Sequence, residues 1–424
     1  MLEIRLPATM RSGGAWLRRF AGTTPGAIGA VAVVSVVLCL LAGSTSADQL
    51  SGKIARRDAV LERTEPLAYA AQTLYVALSA ADASAATAFL SGGIESPQVR
   101  GQYQQALADA AAALAEATTG AADERTRMIV AQITADLPAY TGLVEAARAN
   151  NRQGFPVGSS YLHEASLVMQ NSLLPNAEKL SKDRLAALRH DQHDVGALPW
   201  TSIVLLVLVL ISCGVGTLVL LRRTNRRMNM GVAVAAGATA VTLLWIVGAT
   251  SIASAALDTG KSGATSRFET LTQARILAQQ ARTDETLALI TRGDITVSET
   301  DFRKHTTELS DRLATVTGSD SEASRSLLGW TAGHAKQREA YEAANYPAAV
   351  AQAIGTGAEN SATLFAQLDV TLRDNLGQQR QQLRDGVDSA GAALALSPAG
   401  TLVLLLFAAA AVVTGLWPRL KEFL

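Results

Sequence analysis

The chain of 424 residues has only two cysteines, Cys39 and Cys213, and both lie inside long apolar runs. Toward opposite faces of a bilayer they are badly placed to pair, so no disulfide framework is expected. Aromatic residues are sparse at 5%, although the hydrophobic fraction reaches 49%, so the apolar excess is expected in membrane segments. Neither sign of charge prevails, with Lys+Arg 37 against Asp+Glu 37, and nucleic acid is not among the expected partners. β-Branched runs, alternating patterns and Asn-Gly or Asp-Gly turns are scarce, which argues against a mixed α/β binding protein. No P-loop, G-x-S-x-G, H-E-x-x-H or C-x-x-C pattern occurs, nor a kinase signature set. The expectation is a protein without catalytic residues, metal or cofactor.

What is present begins with four apolar stretches of about 20 residues, each long enough as a helix to cross roughly 30 Å of hydrocarbon. They span 27–47, 199–221, 230–252 and 396–416 and lack ionisable side chains, which argues against ion-coupled transport. Basic residues flank them unevenly. Arg5, Arg11, Arg18 and Arg19 precede the first, Arg222, Arg223, Arg226 and Arg227 separate the second from the third, and Arg419 and Lys421 follow the fourth. The positive-inside rule makes segments 1–26, 222–229 and 417–424 cytoplasmic, and leaves 48–198 and 253–395 outside the plasma membrane. The first span also reads as a cleavable signal ending near "AGSTSA", but its length and the helical pattern continuing through that site favour an uncleaved anchor.

Both outside segments carry helical periodicity. In the first, Ile54, Leu61, Ala68, Tyr75 and Phe89 recur in steps of seven or its multiples, with Leu67, Ala71, Leu74 and Leu78 beside them. "SGGIESP" (91–97), "TTGAADE" and "NNRQGFPVGSS" divide this segment into four helices. In the second, "AQQARTDETLALITRGD" (278–294) echoes "ALSAADASAATAFLSGG" (77–93), and Phe302, Leu309 and Leu313 follow with the spacing of Tyr103, Ala110 and Leu114. The fold class predicted is an all-α membrane protein with four transmembrane helices and two tandem extracytoplasmic four-helix bundles. The two halves read as a duplication offset by about 200 residues. The long first and fourth helices of each bundle are expected to run unbroken into the spans as a stalk that passes movement along its axis. Pro66 and Pro175 interrupt that stalk in the first bundle, either as static bends or as a hinge.

Few residues suggest a site. Arg267, Arg275 and Arg282 lie on the first helix of the second bundle, where guanidinium forks suit a ligand carboxylate. Ordinary ion pairing, with Glu285 at i+3 from Arg282 and Asp284 nearby, is the favoured reading, and a carboxylate site the lesser one. "RHDQHD" brings His190, His193 and Asp194 together, but without a third well-spaced ligand it reads as a solvated helix. Alanine-rich faces at 80–88 and 106–117 suit either a docking surface or close helix packing.

This layout resembles the membrane-anchored four-helix-bundle sensor domains of bacterial chemoreceptors and histidine kinases, with no HAMP module, signalling coil or kinase following the spans. The Ala- and Arg-rich composition hints at an actinobacterial source. The entry "LRRFAGTTPGAIGAVAVVSVVLCLLAGSTSADQL", the paired bundles and the short "RRTNRRMNM" turn are similar to the actinobacterial GlnX-type membrane proteins. That resemblance implies a link from an extracytoplasmic solute-binding lipoprotein, sensing aspartate or glutamate, to the cytoplasmic Ser/Thr kinase PknG in nitrogen metabolism. It carries over no ligand residues. A non-enzymatic transducer of this kind would meet its output partner at Arg222, Arg223, Arg226 and Arg227, at "WLRRF" (16–20) with Trp16, Arg18 and Arg19, or at "WPRLKEFL" (417–424). The same residues suit interfacial anchoring at anionic lipid. A direct chemosensory receptor for a small anion and an inert envelope scaffold are the alternatives.

Overall fold

Apolar helix faces recurring at 3.5 to 3.6 residues, with glycine and Asx residues between them, leave little but helix for this sequence to form. A computed structural model describes residues 24–92, 97–121, 123–224, 229–257, 260, 263–291 and 294–421. Every element among them is helical: α1 (Thr24–Ala59), α2 (Glu65–Leu90), α3 (Pro97–Thr119), α4 (Glu124–Arg152), α5 (Val157–Val168), α6 (Leu174–Gly196), α7 (Trp200–Thr224), α8 (Met230–Leu257), α9 (Ala264–Thr291), α10 (Thr296–Val316), α11 (Glu322–Glu342), α12 (Tyr346–Ile354), α13 (Ser361–Leu394) and α14 (Ser397–Lys421). Single π-turns, Val60–Thr64 and Met169–Leu173, join α1 to α2 and α5 to α6.

The chain divides into two compact units. One comprises Met1–Asp58, His193–Leu257 and Val387–Leu424. It contains the apolar helices, and among the described residues four helical runs are long and apolar enough to cross a membrane. Their outward faces bear Val33, Leu40, Ile211, Leu218, Leu244 and Phe407, an apolar surface that suits lipid rather than water. Within the unit, small residues set the packing, as expected where no hydrophobic drive separates helix from lipid. A Cβ on Gly231 of α8 would lie 2.5 Å from the Gly415 Cα of α14. The Asn229 side chain caps the start of α8 and donates to the Gly415 carbonyl at 2.9 Å. Ser35 and Ser212 join α1 to α7 at 2.8 Å, and Trp245 Nε1 donates to Ser397 Oγ at 3.2 Å. The Lys53 ammonium donates to the carbonyls of Asp194, Val195 and Ala197, closing the end of α6.

The second unit comprises Ala59–Gln192 and Asp258–Gly386. It holds one core drawn from α2 to α6, with Leu74, Leu78, Ile133, Tyr140, Met169 and Leu173 at its centre, and another from α9, α10, α11 and α13, around Leu271, Leu309, Leu313, Trp330 and Leu372. α2 and α9 pack against one another. Burial along them repeats residue for residue between 71–86 and 271–286. At their crossing Thr272 Oγ1 donates to Gln72 Oε1 at 3.1 Å, a pair separated by 200 residues. The far ends interlock as well: Ile290 of α9 packs on the first core, while Leu90 of α2 joins a small cluster around Leu289, Ala349 and Ala353.

The alanine faces serve this packing. Ala81, Ala83, Ala85, Ala86 and Ala88 are all buried because α2 is covered by its own helix set and by α9, and only small side chains admit that closeness. The expectation of continuous rods in both halves needs correction. α2 follows α1 through the π-turn at 60–64, but α6 and α7 are separated at 197–199, α13 and α14 at a turn over 395–396, and α8 and α9 by a stretch in which Gly260 and Gly263 lie in bends. Glycine at 260 and 263 disfavours helix where the first half has "VLERT".

Pro66 and Pro175 each follow a π-turn by the same step. Pro66 comes after Val60–Thr64 and Pro175 after Met169–Leu173. A proline ring collides with the carbonyl four residues earlier, and one wide turn moves that carbonyl aside.

Candidate functional site

α2 and α9 each bring charged groups to the seam between the two helix sets. At their first turns each is tied across the seam by ions. The buried Glu65 carboxylate accepts from Arg380 Nε at 2.6 Å and Arg384 Nη1 at 2.7 Å, both on α13. The Arg380 guanidinium also lies 3.7 Å from the centre of the Tyr69 ring. On α9, Glu269 pairs with Arg189 of α6, and Thr265 donates to Gln192 Oε1 at 2.9 Å. Glu65 adjoins Pro66, so the first π-turn is fixed to a helix of the other set.

Farther along, a cavity of 270 Å³ opens between the sets. Gln72 and Tyr75 of α2 and Thr272 and Gln273 of α9 contribute neutral groups to it. Glu178 and Lys182 of α6 and Glu308 and Arg312 of α10 bring charge of both signs, each forming a pair along its own helix at 2.5 and 2.6 Å. Burial, with the Glu178 charge adding to it, pushes the Tyr75 hydroxyl to about 12, so it remains a neutral donor.

Beyond the cavity each set buries a polar centre. In the second, Glu285 is wholly enclosed and accepts from Arg282 Nη1 at 2.5 Å, from Trp330 Nε1 at 3.2 Å and from Ser361. His334 bridges Glu285, 3.2 Å from Nδ1, and Glu299, 3.1 Å from Nε2. Burial alone would raise the Glu285 carboxyl, but Arg282 and His334 outweigh it and hold it at about 2. Burial would lower His334, but the hydrogen bonds and charges of Glu285 and Glu299 raise it to about 9. The centre is therefore ionised throughout the neutral range and internally satisfied. Such an arrangement fixes helices; it presents no free nucleophile or base.

In the first set the matching stretch holds Asp82, which Ser166 Oγ meets at 3.1 Å. Its partners are neutral. Burial raises the carboxyl to about 6, and nearby Asp284 adds to the shift, against the lowering effect of Ser166. The Tyr140 hydroxyl lies beside this carboxyl without meeting it in hydrogen-bond geometry. Asp284, also raised by burial, pairs with His305 at 2.8 Å.

The arginines singled out in the sequence are separated by these contacts. Arg275 holds Asp369 with both prongs, at 2.8 and 3.1 Å, and Gln279 donates to the same carboxylate at 3.0 Å. Arg282 is spent on Glu285 and on the Ala353 carbonyl at 2.9 Å. Arg267 is exposed. No shared pocket joins the three among the described residues, and the internal carboxylates occupy the forks that a ligand would need. His193 Nδ1 stands 3.9 Å from Asp194, which accepts from Arg56 at 2.6 Å. Among the described residues no group of three or more His, Cys, Asp or Glu side chains is arranged to hold a metal. Arg222 lies exposed at the end of α7. Trp16, Arg18, Arg19, Arg226 and Arg227 lie outside the described residues, as does the Arg223 side chain.

Residues 56–193, from the end of α1 to α6, match the family model described as Actinobacterial sensor domain. Together with the four runs among the described residues that are long and apolar enough to cross a membrane, this match over about a third of the chain points to a membrane protein with a sensing or signalling role. No curated protein and no solved structure matches it.

Proposed function

We propose that the chain is a non-enzymatic transmembrane transducer whose two helix sets are extracytoplasmic four-helix bundles arisen by duplication. In this reading the termini and the 222–229 turn face the cytoplasm, and the bundles receive extracellular amino-acid status from a solute-binding lipoprotein. Movement of the stalk helices relays that status to a cytoplasmic Ser/Thr kinase. The observation that carries the sensing role is the sensor-domain match over 56–193. Its helix α2 is continuous in sequence, through the π-turn, with a run apolar enough to cross a membrane. The identical burial pattern of 71–86 and 271–286 supports duplication. An axial or rotational shift of packed helices is a relay that needs no catalytic group.

Replacing Arg222, Arg223, Arg226 and Arg227 together by Gln, with cysteine labelling to verify unchanged topology, tests the output. The expected result is loss of amino-acid-dependent phosphorylation by the partner kinase in cells. Normal phosphorylation in a variant of verified topology removes this turn as the output surface. Capture of a solute-binding lipoprotein by the outside domains, strengthened by aspartate or glutamate, tests the input.

A further inference from the structure

The cavity at the seam displays two ion pairs of the same kind on helices of different sets. Glu178 and Lys182 stand one turn apart on α6, and Glu308 and Arg312 one turn apart on α10. Partly exposed pairs along a single helix hold weakly, so ligand charges can replace either partner at little cost. The neutral groups between them, Gln72 and Tyr75 among them, both donate and accept.

Arg312 is the more telling member. Its terminal nitrogens are engaged by Gln273 and by Glu308, yet its Nε is buried with no hydrogen-bond partner. A buried N–H left unmet is costly, and because Arg312 lines the cavity, a small shift of its guanidinium toward an entering acceptor relieves it. The acceptor that best matches the flat edge of a guanidinium is a carboxylate. Glu178, on the other helix set, offers an ammonium group the complementary charge.

We propose that this cavity binds a small free zwitterion of amino-acid size, its carboxylate on Arg312 and its ammonium on Glu178. A volume of 270 Å³ falls below the roughly 300–1,000 Å³ typical of drug-sized ligands, which suits a compact molecule. Bound in this way, the ligand joins α6 to α10 across the seam and couples occupancy to the relative position of the two helix sets. The proposal rests on the sensing role and goes beyond the lipoprotein input, giving the helix sets a ligand of their own.

Titration calorimetry of the full chain in lipid nanodiscs tests it with glycine, serine, glutamine and glutamate, beside propionate and propylamine as half-ligands. The expected result is binding of at least one amino acid, with each half-ligand weaker by about tenfold or more. Arg312→Gln weakens the bound amino acid by about tenfold, and Ser181→Phe, which fills the cavity, abolishes binding. Absence of heat from every amino acid at millimolar concentration with the folded native chain overturns the proposal. So does propionate binding as well as the best zwitterion, or undiminished binding by Arg312→Gln. The two readings fail separately: a Ser181→Phe chain that still drives kinase phosphorylation removes the cavity as the input and leaves the transducer standing.

Discussion

α2 and α9 have the same pattern of burial but opposite treatments of buried charge. On α9, Glu285 is surrounded by Arg282, His334, Trp330 and Ser361, so its charge is matched and its hydrogen bonds are met. On α2, Asp82 has only neutral donors and the neighbouring Asp284. Helix geometry thus fixes where a group is buried, while the residues on the facing helices decide whether burial keeps it charged. One set is held at neutral pH by a paired ionic centre. The other buries a carboxyl that holds its proton up to about pH 6, which places a pH-sensitive contact next to the seam between them.

The largest test of this contrast is Glu285→Ala. It strands Arg282 and His334 without their shared carboxylate, and breaking a buried pair in this way costs about 3–5 kcal/mol. Hydrogen exchange of the full chain in nanodiscs should show α9, α11 and α13 losing protection while α3 and α4 keep theirs. Uniform loss along both sets would mean that the two cores open as one cooperative unit, and the contrast drawn here would then have no energetic meaning.

Asp82→Asn should act in the opposite direction. The folded pKa of Asp82, about 6, lies above its ordinary 3.8. Its contribution to stability is therefore complete below about pH 4 and is lost as pH rises through 6. Asn keeps the acceptor for Ser166 without the charge, so at pH 7.5 the variant should exceed the native chain by on the order of 2 kcal/mol. The first set of the native chain should gain protection, corrected for intrinsic exchange, between pH 7.5 and 5, and the variant should lose that slope. The second set has other windows. His334, raised from 6.5 to about 9, contributes fully below 6.5 and loses its contribution as pH rises through 9. Glu285, lowered from 4.5 to about 2, contributes fully above 4.5 and fails as pH falls through 2. Asp284 of α9, also raised by burial, shifts in the same direction as Asp82, so between pH 5 and 6.5 it is α11 and α13, around Glu285 and His334, that should stay flat while the first set changes, and a shared slope there would refute the assignment.

Much of the architecture was legible in the sequence because helix and membrane segment both follow from the spacing of apolar residues. α2 ends at Leu90 and α3 ends at Thr119 where glycine, serine and aspartate cluster in the sequence, and the apolar runs became the membrane-length helices. The charged centres were legible only in part. The stripe Ile54, Leu61, Ala68, Tyr75, Phe89 skips position 82, and the skipped residue is Asp82. Likewise Leu271 and Ala278 predict a core position at 285, where Glu285 stands. A charge on an apolar heptad is a signal of a buried polar centre, but its partners Ser166, His334 and Ser361 come from other helices and no local spacing reveals them. The same reason hid Arg380 and Arg384, which reach Glu65 from more than three hundred residues away. Arg275 and Arg282 looked available as forks because Asp369 and the Ala353 carbonyl lie on helices that sequence spacing alone does not bring to α9.

The smallest expected effect concerns the turns that close α4 and α11, where the two sets use one geometry with different residues. After α4, Gly154 takes a positive φ of 73°, its N–H donating to Asn151 O at 3.0 Å and that of Phe155 to Asn150 O at 3.0 Å. After α11, Ala344 has a φ of 58°, its N–H donating to Tyr341 O at 2.9 Å and that of Asn345 to Ala340 O at 2.9 Å. Both are the paired 6→1 and 5→2 closure that left-handed residues provide. Alanine pays for this conformation with its Cβ, roughly 1–2 kcal/mol, partly offset because glycine loses more freedom on folding. Exchanging the residues should therefore give opposite signs: Ala344→Gly raising stability by about 0.5–1 kcal/mol and Gly154→Ala lowering it by a similar amount. Denaturant melts of the two variants and of the double exchange, which should nearly cancel, would measure this. A destabilising Ala344→Gly would show that the Ala344 methyl is held by contacts worth more than the strain it causes, and the equivalence of the two turns would be lost.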